Sequence, residues 1–184
     1  MSQLFIYQHG VKLLEENPDI KKQRVFFNFD IDALGSLDLA NENITNPFLS
    51  QLIMRNNLPI DHTYKIKTFF KLCSDGKGMG WHQDDVAVYK NSKKYLTDEN
   101  QSRFQLFSNK TPKYSMVFYL NTYGIDFIGG EFCFVDLKIK PNQGMGIFFD
   151  SREVHKITEV TEGLRKSCVI KFYSTDLTKK KINP

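Results

Sequence analysis

The run Trp81-His82-Gln83-Asp84-Asp85 holds the residue types best suited to chemistry. In an extended segment alternate side chains share a face, which sets His82 and Asp84 side by side. A neutral imidazole and a carboxylate on one face make two thirds of a 2-His-1-carboxylate metal site, and three ligands on one side leave positions open for a cosubstrate and oxygen. The third ligand has to come from far along the chain. Of the four histidines, His155 lies in a strand-rich region downstream, whereas His9 and His62 read as surface or capping residues. His-x-Asp alone is common by chance, as a surface turn or a hydrogen-bonded pair, so its weight depends on what surrounds it. Ligand type alone does not separate Fe(II) from manganese or zinc.

The elements that must position these residues are mostly strands. Apolar and aromatic runs bounded by turn residues predict strands over 64–73, 82–89, 114–121, 131–135, 145–149, 153–160 and 165–173. On the third of these, Ser115, Val117 and Tyr119 share one face, and Met116, Phe118 and Leu120 the other. Turns are expected at the glycines 76, 78 and 80, at Gly129-Gly130, at Pro141-Asn142-Gln143-Gly144 and at Thr161-Glu162-Gly163. Short strands at near-regular spacing predict a β-sandwich or jelly roll. Ahead of them, the first sixty residues read as mixed: a helix over 4–16 ended by Asn17-Pro18, a strand over 24–29, and a helix opened by Asn46-Pro47 and stopped by Leu58-Pro59. The polar stretch 90–112 is long for a connection inside one domain and reads as a lid or a locally mobile loop.

Composition narrows the class. The chain has 184 residues, 41% hydrophobic and 25% charged, with sixteen Phe and eight Tyr, as expected of a soluble β-rich globular protein. Three widely spaced cysteines form no CxxC pair, which argues against a zinc site or a disulfide framework and for a reducing compartment. No run is long enough to span a bilayer, and the N-terminus lacks a basic leader and a long apolar stretch, so an intracellular location is expected. The net charge of +4 is largely Lys179, Lys180 and Lys181, a frayed solvated end; the nearly neutral body argues against nucleic acid.

Arg165 opens the last predicted strand, with Ser167 and Val169 on its face and Cys168, Ile170 and Phe172 on the other. If the second set packs on the N-terminal helices, Arg165 faces the interior, where an unpaired guanidinium is costly. A dicarboxylate ligand would pair it through two parallel hydrogen bonds, with Ser167 as a further donor. The competing reading has Arg165 pointing outward at the strand edge.

With these residues in hand, the sequence resembles the iron- and 2-oxoglutarate-dependent oxygenases across residues 64–173. The resemblance rests on His82-Gln83-Asp84, His155 and Arg165, the last ten residues beyond the distal histidine as in prolyl and lysyl hydroxylases. The Tyr119-Leu120-Asn121, Gly129-Gly130-Glu131 and Lys140-Pro141-Asn142-Gln143-Gly144 runs resemble, in order, those of leprecan-type prolyl 3-hydroxylase domains. The resemblance implies a double-stranded β-helix (jelly roll), mainly β with N-terminal packing helices. The whole of 1–184 would be one oxygenase domain: support over 1–63, the core over 64–174 and a basic tail over 175–184. It further implies Fe(II) on His82, Asp84 and His155, and 2-oxoglutarate on Arg165 with Tyr119 and Ser167. The cosubstrates would be 2-oxoglutarate and O2, with ascorbate as reductant. Prolyl hydroxylases often carry a tyrosine on the strand ahead of the metal motif, and Leu72 falls at the expected place here. Trp81, Val117 and Phe132 are candidates for the substrate side, each with packing as the plainer role. The implied activity is hydroxylation of a protein or peptide side chain. A nucleobase or small metabolite is the alternative substrate, and a catalytically silent jelly-roll binding module the alternative class, against which the intact set of four residues argues.

Overall fold

Chains that alternate apolar and polar residues must bury one face, and here two faces of one sheet are buried at once. The computed structural model describes residues 24–37, 43–84 and 112–174. The helix expected over 4–16 lies outside these residues, as do the basic tail and nearly all of the 90–112 stretch. The described elements are, in chain order, β1 (Val25–Asn28), α1 (Ile31–Leu34), α2 (Pro47–Arg55), β2 (Tyr64–Cys73), β3 (Met79–His82), β4 (Tyr114–Tyr119), β5 (Phe127–Gly129), β6 (Phe132–Phe134), β7 (Lys138–Ile139), β8 (Met145–Asp150), β9 (His155–Ile157), β10 (Val160–Gly163) and β11 (Arg165–Ser174). Helix α2 starts where expected: the Asn46 side chain accepts from Leu49 N at 3.2 Å, and Pro47 sits where its missing N–H is harmless.

Five strands form a larger antiparallel sheet in the order β1-β8-β4-β11-β2; a smaller sheet runs β3-β9-β6-β7, and β10 pairs with β5. One face of the large sheet packs Met116, Phe118, Phe148, Cys168, Ile170 and Phe172 against Leu49, Leu52 and Ile53 of α2. The other packs Val117, Tyr119, Ile147, Phe149 and Val169 against Phe132, Phe134 and Ile157 of the small sheet. This is the two-sheet arrangement of a jelly roll, and the face assignments expected for β4 and β11 both hold. No helix among the described residues is long and apolar enough to cross a membrane.

Cross-strand register turns the interior face into a series of rows. Arg165 pairs with Cys73. The next row is Lys71, Ser167 and Tyr119; then Phe69, Val169, Val117 and Ile147; then Lys171, Ser115 and Phe149. Every candidate residue on the large sheet therefore lies on one face.

Three expectations need correction. Gly80 does not form a turn but lies within a strand: β3 spans Met79–His82 and ends at His82, which closes a strand rather than opening one over 82–89. Asp84 lies in the bend beyond it, and residues past Asp84 fall outside the description. The Thr161-Glu162-Gly163 turn is strand β10, with only Gly163 in the left-handed region (φ 76°). Finally, Leu72 lies on the outer face and is 67% exposed; the β2 residues on the face of Arg165 are Cys73, directly opposite it, and Lys71, one row away.

Candidate functional site

The hairpin-like pairing of β3 with β9 sets His82 directly opposite His155, with ring centroids 4.2 Å apart. Two hydrogen bonds then clip the neighbouring bend in place: Asp84 N donates to Ser151 O at 2.8 Å, and the Gln83 side-chain Nε2 donates to Arg152 O at 2.6 Å. As a result one ligand atom each from His82, Asp84 and His155 lies within 4.8 Å of the others. His82 Nε2 is 3.7 Å from Asp84 Oδ1, and His155 Nε2 is 3.6 Å from Asp84 Oδ2.

The tautomers follow from hydrogen bonding. His82 Nδ1 lies 2.8 Å from Gly80 O and His155 Nδ1 lies 2.7 Å from Glu153 O; a carbonyl only accepts, so both Nδ1 atoms carry the proton. Each Nε2 is left with its lone pair toward Asp84, which is how a histidine presents itself to a metal. Phe132 stacks on His155 at 5.2 Å and 12°, and Phe149 meets it edge-on at 4.9 Å. Burial in this aromatic wall pushes the His155 pKa down to about 3, against the opposing pull of Asp84, and lowers that of His82 in the same way. For Asp84, burial works to raise the pKa, yet Lys171 and the two histidines hold the carboxyl well below the usual carboxylate range.

Those shifts carry a stability consequence. An unfolded histidine titrates near 6.5. With the folded value depressed, the unfolded chain takes up protons first as pH falls, so stability falls with it from about 6.5 down to the folded pKa. Chelator-treated protein is expected to lose roughly 2 kcal/mol between pH 7.5 and 5 from His155 alone. Asp84 adds its own loss only below its ordinary value of 3.8. The urea midpoint of the metal-free protein at the two pH values measures this, and a midpoint that is flat or rises on acidification would contradict it.

Lys171, Ser115 and Ser151 complete the surroundings of Asp84. The Lys171 amine ion-pairs with Asp84 Oδ2 and donates to Ser115 Oγ at 3.0 Å. Ser115 Oγ donates to Asp84 Oδ2 at 2.7 Å and lies 2.8 Å from Ser151 Oγ. Sequence reading missed these residues although alternation points to them. Lys171 is six positions beyond Arg165, on the same face, and an inward lysine demands a counter-ion.

Arg165 is fully buried. Its Nη1 donates to Ser167 Oγ at 3.1 Å and its guanidinium lies 5.3 Å from the Tyr119 ring centroid. Arg165 Nε and Nη2 and the Tyr119 hydroxyl have no hydrogen-bond partner among the described residues. Buried N–H groups without partners are rare and point to a ligand. Two motifs explain how this arginine is held. Asn121 ties the start of β11 to the end of β4, donating to Leu164 O at 2.6 Å and accepting from Lys166 N at 3.0 Å. Gly130 (φ 62°) lets the arginine stem pass, since a Cβ there would sit 2.9 Å from Arg165 Cδ. The structure thus brings the six sequence-predicted residues into two clusters, His82, Asp84 and His155 in one and Arg165, Ser167 and Tyr119 in the other. Val117 and Phe132 are core residues, and Trp81 stacks under Lys156 (4.7 Å).

The donor set and the unpartnered guanidinium fit Fe(II) and a dicarboxylate such as 2-oxoglutarate: two imidazoles and a carboxylate for the ion, and two charged N–H groups for the distal carboxylate. Comparison with known proteins agrees. Residues 68–174, more than half of the chain, match the family model described as the 2OG-Fe(II) oxygenase superfamily. The structure is similar to that of viral collagen prolyl hydroxylase from Paramecium Bursaria Chlorella virus-1 in its 2OG complex, with a TM-score of 0.50 and 14% identity over 83% of this chain and 79% of that one. It is also similar to a Pseudomonas putida prolyl-4-hydroxylase, with a TM-score of 0.44 and 20% identity over 68% of this chain and 61% of that one. The present chain therefore spans about three fifths of the latter's length. No curated protein matches in sequence.

Proposed function

The chain belongs to the 2OG-Fe(II) oxygenase superfamily, and from that premise we propose that it is a prolyl hydroxylase-like dioxygenase that hydroxylates a protein or peptide side chain. The observation that carries the reading is that the interior between the two sheets holds both the His82, Asp84 and His155 cluster and a fully buried arginine with unpartnered N–H groups. The peptide substrate is supported by the prolyl hydroxylases among the structural relatives. In this reading the chain is one oxygenase domain with 64–174 as its core.

His82, Asp84 and His155 hold Fe(II); Arg165 binds the distal carboxylate of 2-oxoglutarate, assisted by Ser167 and Tyr119. When bound, iron and 2-oxoglutarate supply the oxidation: O2 and 2-oxoglutarate are converted to succinate and carbon dioxide while one oxygen atom enters a substrate C–H bond. What the protein contributes is placement. The two Nδ1 hydrogen bonds fix ring orientation, so that both Nε2 atoms are turned toward Asp84 and would be free to bind an ion there without tautomeric adjustment. Lys171 and Ser115 keep Asp84 ionised and oriented. Phe132 and Phe149 form an apolar wall behind His155 that keeps water from that side of the site.

Purified protein given Fe(II), ascorbate, O2 and 2-oxoglutarate is expected to release succinate, and to do so faster with its substrate. Mass spectrometry for +16 Da products on co-purifying proteins identifies that substrate. Absence of any succinate formation would overturn the reading.

A further inference from the structure

The interior face carries more positive charge than the described residues neutralise. Lys171 has its counter-ion in Asp84. Arg165 has none, and neither has Lys71, whose contact among the described residues is with the Phe69 ring, 5.6 Å from the amine. A fully buried guanidinium with a half-buried ammonium on the same face calls for an anion, because a charge taken out of water without a partner is costly. Register gives their order. Lys71 pairs with Ser167, one row from Arg165. Its amine lies over Phe69, one row farther toward Lys171 and Asp84. Lys71 therefore stands between the arginine and the metal-ligand cluster, within electrostatic reach of both. Burial works to lower its pKa, and the strongest of the charges acting on it is that of Asp84, which works to keep it cationic.

We propose that Lys71 is a cosubstrate-positioning residue, its ammonium pairing with the carboxylate of the 2-oxo acid group while Arg165 takes the distal carboxylate. This rests on the 2-oxoglutarate reading above. A 2-oxo acid chelates a metal through its keto and carboxylate oxygens, so that end of the ligand faces the His82, Asp84 and His155 cluster. The near carboxylate then falls between the cluster and Arg165, where the Lys71 amine is. One cation serves each carboxylate. An inward lysine at this place also accounts for the exposure of Leu72, which alternation puts on the opposite side of β2.

Isothermal titration of the full chain loaded with Mn(II) tests this without turnover. The ligands are 2-oxoglutarate and 2-oxopentanoate, which has the same chain length but no distal carboxylate. Lys71→Met is expected to weaken both by the same factor, about 10- to 100-fold for a lost charged hydrogen bond, with Mn(II) affinity and melting temperature unchanged. Lys71→Arg, which keeps the charge, is expected to retain both affinities within about threefold. Unchanged binding in Lys71→Met overturns the proposal, as does a loss confined to 2-oxoglutarate, which would assign Lys71 to the distal carboxylate. Equal losses in the Met and Arg variants overturn it too, as the mark of a packing role. Failure of the wild-type chain to bind 2-oxoglutarate at all would instead overturn the cosubstrate reading itself, and this proposal with it.

Discussion

Asp84→Ala is expected to lower metal affinity by more than about 100-fold, beyond the range seen when only an outer partner of a ligand is lost, and to destabilise the metal-free protein by roughly 3 kcal/mol. The two effects have separate origins. Metal affinity falls because the carboxylate is one of the three ligand groups within 4.8 Å of one another. Stability falls because Lys171, with its side chain 14% exposed, loses its ion-pair partner and leaves an unpaired charge beside Ser115. The double variant Asp84→Ala/Lys171→Met separates them. Removing both charges is expected to restore most of the stability, since replacing a buried pair by apolar groups is often neutral or favourable, while metal affinity stays lost. Urea unfolding and Mn(II) titration on both proteins give the two readouts. Recovery of metal binding in the double variant would remove Asp84 from the ligand set. A single variant as stable as the wild type would show that Lys171 finds another counter-ion.

How far the sequence could carry this site depends on which physical signal each residue leaves. Arg165 was legible because β11 is buried on both faces by different partners: Cys168, Ile170 and Phe172 are apolar on the helix side, and alternation leaves Arg165, Ser167 and Val169 for the interior. The same rule places Lys171 there, and only attention to the chemistry rather than the apolar residues would have singled it out. Register is a different matter. Nothing local says that His82 lies opposite His155, since that pairing joins segments over seventy residues apart. The period of a strand is two, so one residue of uncertainty moves a side chain to the other face. That is how Leu72, which lies on the outer face, came to be placed on the inner one. The short strands β5, β7 and β10, of two to four residues, left no periodic pattern to detect. The Gly129-Gly130 and Asn121 runs were visible as parts of a resemblance, but their work, passing the arginine stem and pinning the start of β11, needed coordinates.

Arg165→Met separates binding from folding in the opposite direction to Asp84→Ala. It is expected to weaken 2-oxoglutarate binding by about 100-fold or more, the loss of a two-pronged charged hydrogen bond, while leaving the protein as stable as the wild type or more so. The reasoning turns on what Arg165 does without its ligand. It is fully buried, its one hydrogen bond among the described residues is to Ser167, and two of its N–H groups have no partner there. An apolar side chain of similar length removes that desolvation cost and still fills the channel beside Gly130, so stability is not expected to fall. A residue kept for folding would show the reverse, with a lower melting temperature and little effect on ligand. Mn(II) affinity is expected to stay within about threefold, because Arg165 contacts none of the three ligand side chains and lies on a row of β11 well removed from Lys171. Arg165→Lys is expected to recover only part of the binding, since an ammonium cannot match a carboxylate with two parallel bonds. Titration of 2-oxoglutarate into the Mn(II)-loaded variants, with thermal melts of the metal-free proteins, decides the matter. Parallel losses of metal and 2-oxoglutarate affinity, or a fall in melting temperature of several degrees in the Met variant, would make Arg165 a structural residue and leave the distal carboxylate without its partner.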